Sequence, residues 1–212
     1  MIKRIEATVR RHPVHALALV AALAGTPAAF AAASPADGTS PDAPARIRPI
    51  VGVVLTGTIA SNKSNVTNPD GSTATGSLSG RYEALAGAEF PIDPNGLTLR
   101  MTLGIHASAG FSSSAGSEHF TRFPFEATFW YPLSDQVRIG GGARYAFHPR
   151  FSGAGGNKSD GLNATPAPMI ALDYRLMPHL WLDMRYVYER YEQPSGTDLE
   201  GSHWGVGLMA TY

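Results

Sequence analysis

The sequence predicts an all-β protein, an eight-stranded antiparallel transmembrane β-barrel with an N-terminal signal peptide. Three observations predict this fold. Long segments alternate strictly between apolar and polar residues, which is the pattern of strands whose two faces meet different surroundings. The connections between these segments are alternately long and short. Charge is nearly confined to one face of the segments.

The composition restricts the classes of function. Lysine and arginine together number 17, as do aspartate and glutamate, so the formal net charge is zero. This balance excludes a protein that binds nucleic acid through bulk positive charge. The absence of cysteine excludes disulfides, thiolate metal sites and a cysteine nucleophile. Only 16% of the residues are charged, against about 25% in a typical soluble domain, so the apolar residues need an unusual environment.

The first 45 residues are predicted to lie outside the fold. Residues 1–31 have a basic start, a short apolar run at Val14–Gly25 and small-x-small sites around Ala31, which together are typical of a secretory signal peptide. Residues 32–45 are rich in proline, serine and aspartate and are expected to form a disordered periplasmic lead-in. The barrel domain is therefore expected to occupy residues 46–212.

Eight segments carry the strand pattern. In Leu97–Phe111 the odd-numbered residues are all apolar, while the even-numbered ones are threonine, arginine, glycine, histidine and serine. This run is much longer than the roughly five or six residues of a soluble strand. The other segments are Ile47–Ala60, Leu78–Ile92, His119–Leu133, Val137–Phe151, Leu162–Leu176, Leu180–Tyr191 and Ser202–Tyr212.

The connections distinguish the two ends of the barrel. The long ones are Ser61–Ser77, Ser112–Glu118, Ser152–Gly161 and Gln193–Gly201. The short ones are Asp93–Gly96, Ser134–Gln136 and Met177–His179. Outer-membrane barrels have longer outer loops and short periplasmic turns. This order therefore places both termini in the periplasm.

The distribution of charge identifies the lipid-facing side. Arg190, at the outer rim, is the one charged residue that we assign to the apolar face. The other strand charges, including Arg150, and the histidines His106, His148 and His203 fall on the polar face. A cation at the lipid midplane costs about 2–4 kcal/mol, which explains the exclusion. A lipocalin-like soluble barrel, with its apolar interior, would bury the charges and expose the apolar residues, so we reject it.

The inward charges are predicted to pair with one another. An eight-stranded barrel is just wide enough for side chains to fill its interior, and an unpaired buried charge is costly. Counting across the short turns predicts four ion pairs, Glu89–Arg100, Glu126–Arg144, Arg175–Asp183 and Asp173–Arg185. Glu189 completes the predicted network. We interpret the network as a structural plug in preference to an anion-selective constriction.

Two hairpins and the last strand resemble those of a known group. Tyr131–Tyr145 (YPLSDQVRIGGGARY) and Arg175–Tyr188 (RLMPHLWLDMRYVY) are similar to hairpins of small proteobacterial outer-membrane barrels. The last strand is similar to the terminal signal read by the barrel assembly machinery, with Trp204, Val206, Leu208, Ala210 and Tyr212 on one face. Residues 46–212 thus resemble the outer-membrane β-barrel domain superfamily of the outer membrane protein A, outer membrane protein X and opacity-protein types.

The resemblance implies residence in the cell outer membrane as a monomer. It also implies contact with outer-membrane lipid and lipopolysaccharide, insertion by the barrel assembly machinery, and interaction with host or matrix ligands through the outer loops. No nucleic-acid partner and no cofactor are expected. No spacing of histidine and carboxylate indicates a metal site.

The sequence therefore predicts a barrel with a filled polar lumen and a structural or surface-interaction role rather than an enzymatic one. One alternative is a narrow channel or a lateral conduit for small molecules or lipids. Pro166 and Pro168 would form its opening, because proline cannot donate to the strand ladder. The second alternative is a lipid A-modifying enzyme, in which His119 would act beside the serines of Ser113–Ser117, although the sequence shows no oriented triad.

Overall fold

The computed structural model describes residues 46–58, 64–67, 73–76, 80–113, 116–153, 162–193 and 198–212. The described barrel belongs to a compact unit that spans Pro44–Tyr212. The predicted signal peptide at residues 1–31 and the lead-in at residues 32–45 lie outside the described residues. The described residues contain no helix of the length and hydropathy that a membrane crossing requires.

The described residues form antiparallel β-strands. In chain order they are β1 (Arg48–Gly57), β2 (Ser64–Thr67), β3 (Thr73–Gly76), β4 (Tyr82–Pro91), β5 (Thr98–Ser113), β6 (Gly116–Pro132), β7 (Val137–Gly153), β8 (Asn163–Ala164), β9 (Ala167–Met177), β10 (Leu180–Val187), β11 (Arg190–Glu192), β12 (Asp198–Glu200) and β13 (His203–Thr211). The predicted all-β class is confirmed.

Eight of these strands close into a barrel wall. Its order is β1–β4–β5–β6–β7–β9–β10–β13, and each strand pairs antiparallel with the next. β13 then pairs with β1 from Ile50 opposite Thr211 to Gly57 opposite Trp204, which closes the ring. The predicted eight-stranded antiparallel barrel is therefore confirmed. Closure leaves no unpaired edge between the first and last strands.

Short strands extend the wall at the end that carries the long connections. β2 pairs with β3, and β3 joins the edge of β5 where Thr75 lies opposite Ser112. β8, β11 and β12 form a separate three-stranded sheet that continues beyond β9, β10 and β13. This end is called the upper end below, and the end with the short turns is called the lower end.

The short turns are held by local hydrogen bonds. The Asp93 carboxylate accepts from the backbone N–H of Leu97 at 2.8 Å, and the Ile92 N–H donates to the Leu97 carbonyl at 2.8 Å. In the next short turn, the Ser134 hydroxyl accepts from the N–H of Val137 at 3.1 Å. Aspartate and serine favour such turns because their side chains bond nearby backbone groups. These bonds fix the register of the strands that follow.

The two faces of the wall differ as the alternation predicts. Outward-facing Leu103 is 61% exposed and Ile170 is 66% exposed, whereas inward-facing Glu89 and His106 are fully buried. At the outward positions of the described wall from Val51 to Tyr212, the side chains are apolar or aromatic, with a threonine at position 121. The described exceptions, His119, His148 and Arg150, lie toward the upper ends of β6 and β7. The barrel thus has an apolar exterior and a charged interior.

A local backbone change reverses the alternation near the upper end of β7. His148 adopts φ of +48°, in the left-handed region that side-chain-bearing residues rarely occupy. Beyond this residue Pro149 is buried, while His148 and Arg150 are exposed. The prediction that His148 and Arg150 face the lumen is therefore wrong. His106 and His203 are fully buried in the lumen, as predicted.

Candidate functional site

The lower half of the lumen holds a network of arginines and carboxylates. Arg100 donates to Glu89 at 2.8 Å and to Asp173 at 2.7 Å, and its other amino group lies 3.4 Å from Asp183. Arg138 binds the same two acceptors, Glu89 at 2.8 Å and Asp173 at 2.7 Å. All five residues are buried. Because each buried carboxylate faces at least one guanidinium, the charges offset one another inside the wall.

Two tryptophans pack against this network. The Arg100 guanidinium lies 4.3 Å from the ring centre of Trp130. The Arg138 guanidinium lies 4.0 Å from the ring centre of Trp181 and 5.0 Å from that of Trp130. A planar cation over an aromatic face is attracted by the ring quadrupole, more strongly where water is excluded. These contacts order the arginines in a single arrangement at the lower end.

The middle of the lumen is crossed by two further arginines. Arg144 donates to Glu83 at 2.7 Å and to Glu126 at 2.8 Å. Arg185 binds Glu126 at 2.7 Å and Asp183 at 2.6 Å, so it connects the middle of the lumen to the lower network. Gly205 makes room for Arg185, because a Cβ atom on residue 205 would lie 3.1 Å from the Cγ atom of Arg185.

The upper lumen combines two histidines with a further ion pair. Arg122 lies 3.1 Å from Glu189. The rings of His106 and His203 meet edge to face with their centres 5.0 Å apart. Glu83 lies beside His106, with 3.9 Å between a carboxylate oxygen and Nδ1. A group formed by Glu83, His106 and His203 offers three ligand atoms within 4.8 Å of one another.

An apolar cluster covers the upper lumen. Its members are Phe120, Ala146, Leu162, Tyr191 and Leu199, and all are buried. Phe120 and Tyr191 meet edge to face at 5.5 Å, and Arg122 lies beneath both rings at 5.2 and 5.7 Å. We call this group the upper cap. The described lumen is thus filled by paired charges and closed by apolar side chains, which is the geometry of a plug rather than of an aqueous path.

The structure separates correct from incorrect predictions of pairing. Glu89 lies opposite Arg100 and Glu126 lies opposite Arg144, and both pairs form ion pairs, as the counts across the first two short turns predict. Glu189 also lies in the lumen, beside Arg122.

The pairs predicted for the third short turn are wrong. Arg175 lies opposite Trp181 and not Asp183, while Asp173 lies opposite Asp183 and not Arg185. At the turn, Leu180 lies opposite Met177, which is one residue from the counted register, and the register shift between Leu180 and Trp181 adds a second residue. Arg175 is exposed at the lower rim and stacks at 4.8 Å on Trp181, so it lies outside the lumen network.

The prolines of the proposed opening lie beside a gap in the wall. β7 pairs with β9 only as far as Arg144 opposite Ala167, although β7 continues to Gly153. On the other side of β9 the bonding continues past the prolines, because Tyr188 N–H donates to the Pro168 carbonyl at 3.0 Å. A pocket of about 420 Å³ lies above Ala167, lined by Tyr145–Arg150 and Leu162–Ala164.

The histidine of the enzyme alternative lies on the outside of the barrel. His119 is exposed and lies opposite Ala109 on β5 and Ser152 on β7. Ser114 lies outside the described residues. For the described residues the structure gives His119 no acidic partner that would orient it as a base.

The alternation of β4, β5 and β13 places Glu83, His106 and His203 on the lumen face, but it does not group them. They come from β4, β5 and β13, and their positions in the chain show no ligand spacing. Only the closure of the barrel brings them together. Trp130 and Trp181 were likewise missed as partners of the arginines. Alternation could have found them, since both fall on the inward face of their strands.

Comparisons with known proteins find similar solved structures. No family model matches the chain, and no curated protein matches it. Neisserial surface protein A is 14% identical over 78% of this chain and 97% of its own, with a TM-score of 0.47. Ail of Yersinia pestis, in complex with the heparin analogue sucrose octasulfate, is 15% identical over 78% and 97%, with a TM-score of 0.45. OprG, an outer membrane protein of Pseudomonas aeruginosa, is 15% identical over 79% and 96%, with a TM-score of 0.43.

Proposed function

We propose that this protein is an outer-membrane β-barrel whose lumen is a rigid charged plug and whose role is structural or surface interaction through its long connections. The observation that carries the proposal is the exterior. Large apolar side chains such as Leu103, Ile139 and Ile170 are 61%, 48% and 66% exposed, on a face whose described charge, Arg150, lies near the upper end of the wall. Exposure of this extent marks a surface that contacts lipid or another apolar partner.

Aromatic residues support a membrane position. Phe129, Tyr131 and Tyr174 are exposed near the lower end, and Phe123 and Trp204 are exposed nearer the upper end. Aromatic girdles at both interfaces are a feature of membrane barrels because their rings suit the boundary between lipid and water. The band between these two levels would cross the hydrocarbon region.

The packed lumen supports a function other than transport through the barrel. An aqueous path would have to break several buried ion pairs and pass the upper cap, and removing one partner of a buried pair costs about 3–5 kcal/mol. The long connections at the upper end would then present the interaction surface. Lipopolysaccharide and host or matrix ligands are the partners that we propose for it, and the barrel assembly machinery would insert the chain through its last strand.

Cell fractionation and conductance test this proposal together. We expect the full chain to fractionate with the outer membrane of a Gram-negative host. The purified protein is expected to give no conductance steps in planar bilayers, whereas a large porin of known conductance serves as the positive control. Recovery from the soluble periplasm would refute the membrane placement. Regular conductance steps from the unaltered chain would refute the plug.

A lateral conduit is the second candidate, because the wall lacks ladder pairing above Ala167 between β7 and the described part of β8. Pro166 contributes no donor there, and the pocket beside it has exposed aromatic rings at Tyr145 and Phe147. Hydrogen exchange of the refolded barrel tests it. Fast exchange confined to the β7 amides between Tyr145 and Arg150 would support an opening, and uniform protection along β7 and β9 would exclude it.

A further inference from the structure

We propose that Glu83, His106 and His203 form a binding site for a divalent transition-metal ion, with Zn²⁺ as the natural occupant, inside the upper lumen. The three ligand atoms lie within 4.8 Å of one another, and all three side chains are buried. A zinc ion surrounded by two imidazole nitrogens and a carboxylate oxygen is an ordinary ligand set for this metal. The site is independent of the role proposed above.

His203 presents an unused lone pair. Its Nδ1 lies 2.9 Å from the Gly201 carbonyl, which accepts hydrogen bonds only, so Nδ1 carries the proton and donates it. The other ring nitrogen, Nε2, is therefore the atom with the free lone pair. It is buried and has no hydrogen-bond partner. A backbone carbonyl that orients the far nitrogen of a metal-binding imidazole is a frequent outer contact of such sites.

Glu83 presents a second unused atom. One of its oxygens accepts from Arg144 at 2.7 Å, while Oε2 is buried without a partner. Buried polar atoms are almost always bonded, so an orphaned acceptor on each of two residues of this group calls for a donor or a cation. Oε2 faces Nδ1 of His106 across 3.9 Å. A metal ion between Glu83, His106 and His203 would satisfy both orphaned acceptors.

His106 supplies the third ligand, and Arg144 competes for it. The Arg144 guanidinium lies 2.6 Å from Nδ1 of His106, and a guanidinium only donates, so Nδ1 carries the lone pair. The opposite nitrogen, Nε2, then donates to the Thr56 hydroxyl at 2.9 Å. A metal ion would replace Arg144 at Nδ1. Arg144 would keep its bonds to the carboxylates of Glu83 and Glu126.

The surrounding charges set the strength of the site. Glu83 is a ligand and Glu189 lies close by, with its carboxylate 3.7 Å from the His203 ring. Arg144, Arg122 and Arg185 oppose a cation, since the charges of all three act on both His106 and His203. Ligand atoms around zinc lie about 3.4 Å apart for bonds of roughly 2.1 Å, so the three side chains must close by about 1 Å. We therefore expect weaker binding than in a zinc site without neighbouring cations.

Metal analysis of tag-free protein tests the site. The full chain is stripped with a chelator while unfolded, refolded in detergent in the presence of Zn²⁺ and desalted, so that the metal does not have to pass the upper cap. We expect about one zinc per chain, a raised thermal midpoint, and a tetrahedral visible spectrum when Co²⁺ replaces Zn²⁺. Glu83→Gln and His203→Ala are expected to lose the metal and the thermal shift. His119→Ala and His179→Ala, which change exposed imidazoles at opposite ends of the barrel, are expected to retain both.

Two results would overturn the proposal. One is protein that retains less than a tenth of an equivalent of metal after desalting and shows no thermal shift. The other is binding that survives in Glu83→Gln or His203→Ala, because the metal would then sit on the surface. If both variants fail to fold, anomalous diffraction from crystals of the unaltered chain refolded with Zn²⁺ decides. A peak between Glu83, His106 and His203 supports the site, and a water molecule at that position refutes it.

Discussion

Replacement of Arg144 by methionine tests whether the lumen is a dry, paired network. Arg144 is fully buried and donates to Glu83, Glu126 and His106. Methionine has a similar length and leaves the wall packed, but it removes the charge. Glu126 keeps Arg185 as a partner. Glu83 then keeps no arginine ion pair among the described contacts, and its buried carboxylate is opposed only by the more distant charges of Arg185 and Arg122.

The expected loss of unfolding free energy follows from this arrangement. Removing one partner of a buried ion pair costs about 3–5 kcal/mol, because the other charge remains without water or a counterion. The double variant Arg144→Met/Glu83→Gln removes that stranded charge and is expected to recover about half of the loss or more, since apolar replacement of both partners is often neutral.

Urea titration of the refolded barrel measures the effect, with Trp130 and Trp181 as fluorescent reporters of the lumen. Arg175→Met is the matched control. Arg175 is exposed at the lower rim and stacks on Trp181, so its loss should cost about 0.5–1 kcal/mol. A loss below about 1 kcal/mol for Arg144→Met, equal to that of the control, would refute the reasoning, because it would mean that water penetrates the lumen and screens the stranded carboxylate.

Three further predictions follow from the wall and the cap. In urea titration from liposomes, Leu103→Arg should lower the free energy of unfolding by about 2–4 kcal/mol, while Leu133→Arg in a short turn should lower it by about 0–1 kcal/mol. If Leu103→Arg caused the same loss in detergent as in liposomes, a midplane position of Leu103 would be contradicted. Gly142→Ala should lower the free energy of unfolding by about 1–3 kcal/mol, because the added Cβ would lie 2.1 Å from the Ala127 carbonyl oxygen. Gly141→Ala is the control: a Cβ there would have no atom within 4 Å, so the same titration should show no change. Tyr191→Ala should lower the free energy of unfolding by about 3–5 kcal/mol by emptying the upper cap. It should also speed hydrogen exchange of the Phe120 and Ala146 amides, which belong to that cap; unchanged exchange would show that the cap does not protect the upper lumen.

Much of the fold follows from alternation and turn chemistry. The odd-numbered apolar residues of Leu97–Phe111 require one face in an apolar medium, and the wall places them outside. Register could be counted across the first two short turns because Asp93 and Ser134 close them locally. The pairs Glu89–Arg100 and Glu126–Arg144 follow from that register alone.

The incorrect predictions of pairing and of side-chain orientation have local backbone causes that the composition does not reveal. The register shift beside Leu180 moved two predicted ion pairs, and the left-handed φ of His148 turned Arg150 outward. Neither position carries glycine, the residue that would have signalled such a backbone. The grouping of Glu83, His106 and His203 depends on which strands are neighbours across the closed ring. Sequence distance carries no information about that.

The pairing of β13 with β1 has a consequence for how the molecule folds. Ile50 pairs with Thr211, and the Tyr212 N–H donates to the Pro49 carbonyl, so the contacts that complete the ring join residues from opposite ends of the described wall. Until they form, every partly formed sheet ends in an open strand, which attracts other chains. Slow, non-local pairing of this kind makes the folding protein dependent on protection of its two end strands, and makes the last strand a point where assembly can be controlled.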